Sequence, residues 1–468
     1  MMQGNYYPVE VKNPGKRPEP NKNKKRMSQS QIKLIAIISL AAILLTSATF
    51  YIINKILNPE LIKVLVEPSL KYEYMVPCGE GLLLVYKNGK SGLINKYGEV
   101  VVDFIYDDIY EFNEGLAVVW TDVYIMERKS GVIDKYGNVV VDLIYRGVGP
   151  FSGGAAVVYN DGMCGVINKD GEFVVPLIYE EISGFVDGFA SARKGEKWGI
   201  IDNTGEIIID VKYDKIVRYI GNGFFATSKA YFTGLLDKYG ECVLPEEYYW
   251  ISYYKEDMAV IRKDGNDGYI DKNGEVAIPP AYFTANDFSD GMASVWVSDP
   301  GETLSVRSAV GRWGYIDKTG ELVIPAEYDE ASDFSNGFAV VRKFEQNNKR
   351  GLIDKTGRLV IPMIYDYISP VVNGLAVIGE TDAANMHRRR FGVADTKGNI
   401  VIPMIYDEIE IFEGYDLLWA QKDGKEGVLN KKGDIVLPFE YGNICKNIKD
   451  NLLCAEKDGL WGIFELKK

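Results

Sequence analysis

The sequence predicts an all-β repeat protein. Three-stranded β units of about 35 residues follow one another in tandem and stack as an open superhelical array, with β-propeller-like closure as the alternative, and one transmembrane helix precedes them. Three observations predict this. A Gly-x-Ile-Asp-Lys-x-Gly phrase recurs, its first glycine falling eleven times between Gly92 and Gly462. Fixed residues follow each phrase at fixed distances. One uncharged run, Leu34 to Ile53, stands apart from the rest.

The phrase is a hairpin signal. In ten copies a second glycine lies six residues after the first: Gly98, Gly137, Gly171, Gly205, Gly240, Gly274, Gly320, Gly357, Gly398 and Gly433. Asp accepts a hydrogen bond from the backbone two residues on, and glycine takes the left-handed conformation that closes a bulged turn. Five residues further stands Pro or Asp, as in Pro325 and Asp142, and proline there stops the hydrogen-bond ladder. Eight residues after the second glycine stands a tyrosine in every copy: Tyr106, Tyr145, Tyr179, Tyr213, Tyr248, Tyr282, Tyr328, Tyr365, Tyr406 and Tyr441. A large ring at one repeated position is expected to anchor one unit on the next. A looser Phe-x-x-Gly-Leu-Ala-x-Val phrase, as in Phe112 to Val118, supplies the first strand of the next unit. The final unit stops soon after Trp461-Gly462, so it is expected to be incomplete.

Gly-x-Ile-Asp-Lys-x-Gly with Val-Ile-Pro-x-x-Tyr-Asp resembles the WG repeat family of bacterial proteins. The Trp-Gly pair itself survives as Trp198-Gly199, Trp313-Gly314 and Trp461-Gly462, while eight copies carry another residue for Trp. The resemblance covers roughly residues 74 to 468. It implies coupling of the repeats to a secretion or membrane signal, and it implies no shared chemistry that can be placed on single residues.

The N-terminal part is of another kind. Leu34 to Ile53 is long enough, at about 1.5 Å per residue, to span a hydrocarbon core of about 30 Å. Residues 1–33 carry eight Lys/Arg against two Glu, whereas the remainder carries 45 positive and 64 negative residues. The basic flank places residues 1–33 in the cytoplasm as a disordered tail, with 34–53 as an uncleaved signal anchor, 54–73 as linker and the array at 74–468 outside the plasma membrane. A cleavable signal peptide is the competing reading.

The acidic body argues against nucleic acid as a partner. Five cysteines without a CxxC pair argue against a zinc site and a disulfide framework, and a single histidine, His387, offers no triad. Paired acids such as Asp271 with Glu275 recur at the same turn position in most units, so turn chemistry explains them better than glycosidase chemistry. No cofactor, metal or enzymatic activity is expected. The units differ mainly in insertions at 121–129, 298–312, 343–349 and 379–390. If the units stack in register, these loops share one edge, and insertions on one edge mark a binding face. Candidate contacts are Tyr124, Arg128, Glu302, Arg307, Asn347, His387, Arg388, Arg389 and Arg390. The expected function is a surface-displayed scaffold for cell-wall polymer or an envelope protein. A structural spacer and, last, an exported glycan-active enzyme are the alternatives.

Overall fold

The computed structural model describes residues 61–122, 128–298, 311–382 and 385–467. The basic tail, the apolar segment 34–53, Tyr124, Glu302 and Arg307 lie outside the described residues, as do the side chains of His387 and Arg388. No helix among the described residues is long and apolar enough to cross a membrane.

Local chemistry builds the hairpins. In the second repeat Asp134 Oδ1 accepts the N–H groups of Tyr136 and Asn138, both at 2.9 Å, and Gly137 takes φ +85°. The same bonds recur around Asp317 and Asp395. The first glycine of the phrase answers a different need. A Cβ on Gly131 would lie 2.5 Å from the Val141 carbonyl oxygen, because the next strand bulges across it. Small side chains are therefore demanded by close approach at one glycine and by backbone conformation at the other.

Each unit has four strands rather than the expected three. The one not anticipated is the two-residue strand just after the tyrosine, such as Asp108–Ile109. In the first unit the strands are Tyr74–Gly79, Leu82–Lys87, Lys90–Asn95 and Val100–Tyr106, all antiparallel and paired in chain order. Eleven such sheets form the eleven blades of a β-propeller. Blades 1 to 10 span 74–106, 108–145, 147–179, 181–213, 218–248, 250–282, 284–328, 330–365, 367–406 and 408–441.

The array is closed, which corrects the expectation of an open superhelix. Blade 11 takes three strands from the C-terminus, Asn443–Ile444, Leu452–Lys457 and Leu460–Leu466, and its fourth from Ile62–Leu70. Ile62 lies opposite Leu466, Val66 opposite Ile463 and Leu70 opposite Trp461. The last unit is thus complete, and residues 62–70 are strand rather than linker. The physical reason is the free edge of Leu460–Leu466, which pairs with the one strand that no other blade uses.

The core is divided into eleven clusters, each lying between two consecutive blades. Between blades 8 and 9, for example, Leu352, Ile361 and Tyr365 meet Ile368, Val371 and Ile378. The repeated tyrosine takes part at each of the first ten interfaces; Tyr365 and Tyr441 are each 5% exposed, while Tyr213 and Tyr282 are half-buried. The eleventh cluster joins Met75, Leu83 and Val85 of blade 1 to Cys454, Trp461 and Ile463 of blade 11. Gly81 N–H also donates to Asp450 Oδ2 across this seam at 2.6 Å. All five cysteines are free thiols; Cys242 is exposed and the other four are buried.

Candidate ligand-binding cleft

Antiparallel alternation sorts the loops onto two faces. The hairpins between second and third strands share one face with the corners that lead from one blade to the next. A repeated acid organises these corners. Asp107, directly after Tyr106, accepts the Asp122 N–H of its own blade at 2.8 Å and pairs with Lys90 of the preceding blade at 2.7 Å. Asp366 does the same with Thr381 N–H and Lys349, both at 2.8 Å. Burial raises the Asp366 pKa, but the Lys349 bond and the Thr381 contacts outweigh it and hold the carboxyl at about 2.

The described loop residues expected to bind a partner lie in the hairpins of this face, and several serve the fold. Arg390 pairs with the corner acid Asp407 at 2.8 Å. The Arg128 guanidinium lies 4.1 Å from the Trp120 ring centroid and donates to Tyr110 Oη at 2.9 Å. Asn347 caps the short 3-10 turn Phe344–Gln346 at φ +54°. His387 and Arg388 lie on the long strand Asn385–Asp395, and Arg389 on the same strand is exposed. Three of the four insertions belong to the consecutive blades 7, 8 and 9, whereas the Arg128 loop stands on blade 2. Among the described residues, Arg128 on blade 2 therefore stands apart from Asn347, Arg389 and Arg390 on blades 8 and 9.

A cleft of about 480 Å³ lies elsewhere, along the first strands of blades 5 and 6. Arg218–Gly221 and Trp250–Ile251 form its walls, and Asp187 of blade 4 and Asp287 of blade 7 reach its ends. Trp250 is 36% exposed and Tyr253 49% exposed. Arg218 Cζ stacks 4.9 Å from the Tyr253 ring centroid while Arg218 Nη2 donates to the Ile251 carbonyl at 2.6 Å, so the guanidinium is held in place. Ser252 Oγ donates to Asp287 Oδ1 at 3.2 Å and accepts Val260 N–H at 2.8 Å. The cleft thus offers two open aromatic faces, one oriented cation and two carboxylates. That set suits a ligand with an apolar face and hydroxyl or amide edges.

Sequence reasoning missed these residues because it followed what the repeats share. Their signal lies in departure from the repeat: Tyr248-Tyr249-Trp250 stands where the corner between blades 1 and 2 has Tyr106-Asp107-Asp108. Carboxylates at the third-to-fourth strand turns, by contrast, are engaged in the backbone bonds that close those turns. Among the described residues no group of acids, cysteines and histidine is arranged to hold a metal ion.

Among solved structures the chain is similar to a eukaryotic initiation factor, at 8% identity over 66% of this chain and 92% of that one, with a TM-score of 0.37. It is also similar to the extracellular domain of a one-component system from B. thetaiotaomicron, at 10% identity and a TM-score of 0.22, over 84% of this chain and 64% of that one. The comparison with curated proteins finds no match. The profile described as WG containing repeat matches ten stretches, 92–119, 131–164, 165–198, 198–230, 234–266, 268–295, 313–343, 351–379, 391–425 and 427–461. With most of its length in those ten matches, the chain belongs to the WG containing repeat family.

Proposed function

We propose that this chain is a membrane-anchored, extracytoplasmic binding scaffold that holds a cell-envelope polymer or envelope protein and catalyses no reaction. The observation that carries the reading is the cleft across blades 4 to 7, where Trp250 and Tyr253 are held open beside Arg218, Asp187 and Asp287. A rigid ring offers such a site at little ordering cost on binding. The anchor rests on Leu34 to Ile53 and on the basic residues before it. The acidic body supports a partner other than nucleic acid.

Co-sedimentation of residues 60–468 with cell-wall material from the source organism tests the reading. Saturable pelleting is expected, weakened about tenfold or more by joint Trp250→Ala and Tyr253→Ala substitution, as for aromatic anchors at other contact surfaces. Absence of pelleting at every salt concentration would remove the polymer ligand and leave a protein partner to be sought by cross-linking.

A further inference from the structure

Blade 5 carries, between its second and third strands, a hairpin without the glycine that the other short hairpins have. Short hairpins between second and third strands elsewhere turn on Asn88-Gly89, Asp161-Gly162, Asp264-Gly265, Asp423-Gly424 or Asp458-Gly459, and blade 4 turns on Gly195-Glu196 with glycine at the positive φ. Blade 5 turns on Ala230-Tyr231, with Ala230 at φ +54°. An alanine at positive φ is strained, and strain of this kind persists where a surface is shaped for use. The Tyr231 ring that this turn presents is 86% exposed.

The corner beside this hairpin is altered as well. Tyr249 stands where blades 2, 8, 9 and 10 have the acids Asp107, Asp329, Asp366 and Asp407. Its ring lies 5.3 Å from Phe232, and both rings are exposed, at 51% and 38%. The chain then runs directly into Trp250 and on to Tyr253 in the cleft. Five exposed rings therefore follow the seam between blades 5 and 6, from the corner face to the first-strand edge. Two neighbouring cations are already matched: Lys263 pairs with Glu247 and Arg262 with the buried Asp267, each at 2.9 Å.

We propose that this aromatic track binds an uncharged polysaccharide strand, extending the cleft into an elongated site. The inference rests on the scaffold reading above and adds the class of ligand. Sugar rings present an apolar C–H face to an aromatic ring and hydroxyls at their edges. The track supplies the faces in series, and Asp187, Asp287 and Arg218 supply hydrogen-bond partners at its end. With two cations beside the track already paired and both signs of charge lining the cleft, no single-sign surface favours a polyanion or a polycation here.

The test is titration of the full-length chain with a β-linked N-acetylglucosamine oligomer, followed by tryptophan fluorescence. A proline-rich peptide and polygalacturonate are titrated in parallel. Saturable binding of the amino-sugar oligomer is expected, insensitive to salt and weakened about tenfold in Tyr231→Ala/Phe232→Ala and in Tyr249→Ala. Tyr136→Ala, at an exposed tyrosine of blade 2, should bind as the parent does, and unchanged thermal melts would show that the variants fold. Equal binding by parent and track variants would overturn the proposal, as would saturation by the peptide or the polyanion alone. If wall material still pellets the protein while no sugar oligomer binds, the ligand class fails and the scaffold reading survives. If neither binds, both fail.

Discussion

Asp366 shows how much one side chain does at a corner of the ring. Its two oxygens serve two blades, one taking the Thr381 N–H of blade 9 and the other the Lys349 ammonium of blade 8. Its carboxyl titrates near 2 in the folded protein, below its value in the unfolded chain. A depressed carboxylate pKa adds stability that is present above the unfolded value and lost as pH falls through the folded value. The window therefore runs from about pH 4 down to about pH 2. Asp366 is partly solvent-exposed, so screening reduces the effect to on the order of 1 kcal/mol. Asp366→Asn should lower the denaturant midpoint at pH 7, and its difference from the parent should shrink as pH approaches 2. A constant difference across that range would show that the charge plays no part. Asp107, held below the usual carboxylate range chiefly by Lys90, should behave alike.

Elements differ in how clearly they could be read. The third and fourth strands were legible because side-chain alternation, an Asp-x-x-Gly turn and a terminal tyrosine all coincide in ten copies. The first strand of most blades was not, since two residues such as Asp108–Ile109 carry no period. Ile62–Leu70 was hidden for a different reason: it includes Pro68, and its partner lies at the other end of the chain. The cleft was hidden because Arg218, Trp250 and Tyr253 meet only when neighbouring blades stack. The blade 5 hairpin carries its own prediction. Its positive φ falls on the first turn residue alone, as in Gly195-Glu196, a type II′ pattern that favours glycine at that place. Ala230→Gly relieves about 1–2 kcal/mol of left-handed strain and gives back part of it as unfolded-chain entropy. A net gain of about 0.5–1 kcal/mol is expected in denaturant unfolding. A loss of stability would mean that the alanine methyl makes a contact worth more than the strain.

At the scale of the molecule, the ring depends on a strand from the opposite end of the chain. Each blade between 2 and 10 is flanked by neighbours contiguous in sequence, so local folding can bring it together. Blade 11 is complete only when Ile62–Leu70 reaches Leu460–Leu466, and the seam cluster around Cys454, Trp461 and Ile463 is buried only then. The pairing also brings the described chain ends together, with Lys467 N–H donating to the Leu61 carbonyl at 2.9 Å. In the proposed anchored protein, the strand that closes the ring follows closely on the segment that enters the membrane. Val66→Asp places a charge in the partly buried apolar surroundings of that seam, opposite the fully buried Ile463. A cost of about 2–4 kcal/mol is expected. Hydrogen exchange should quicken first in 443–466 and in Tyr74–Gly79 of blade 1, while blades 4 to 7 keep the protection of the parent. Uniform loss of protection around the ring would mean that the propeller unfolds as one unit. Protection unchanged in blade 11 would mean that its three C-terminal strands stand without the fourth, and that the N-terminal strand is a tether and not a closure.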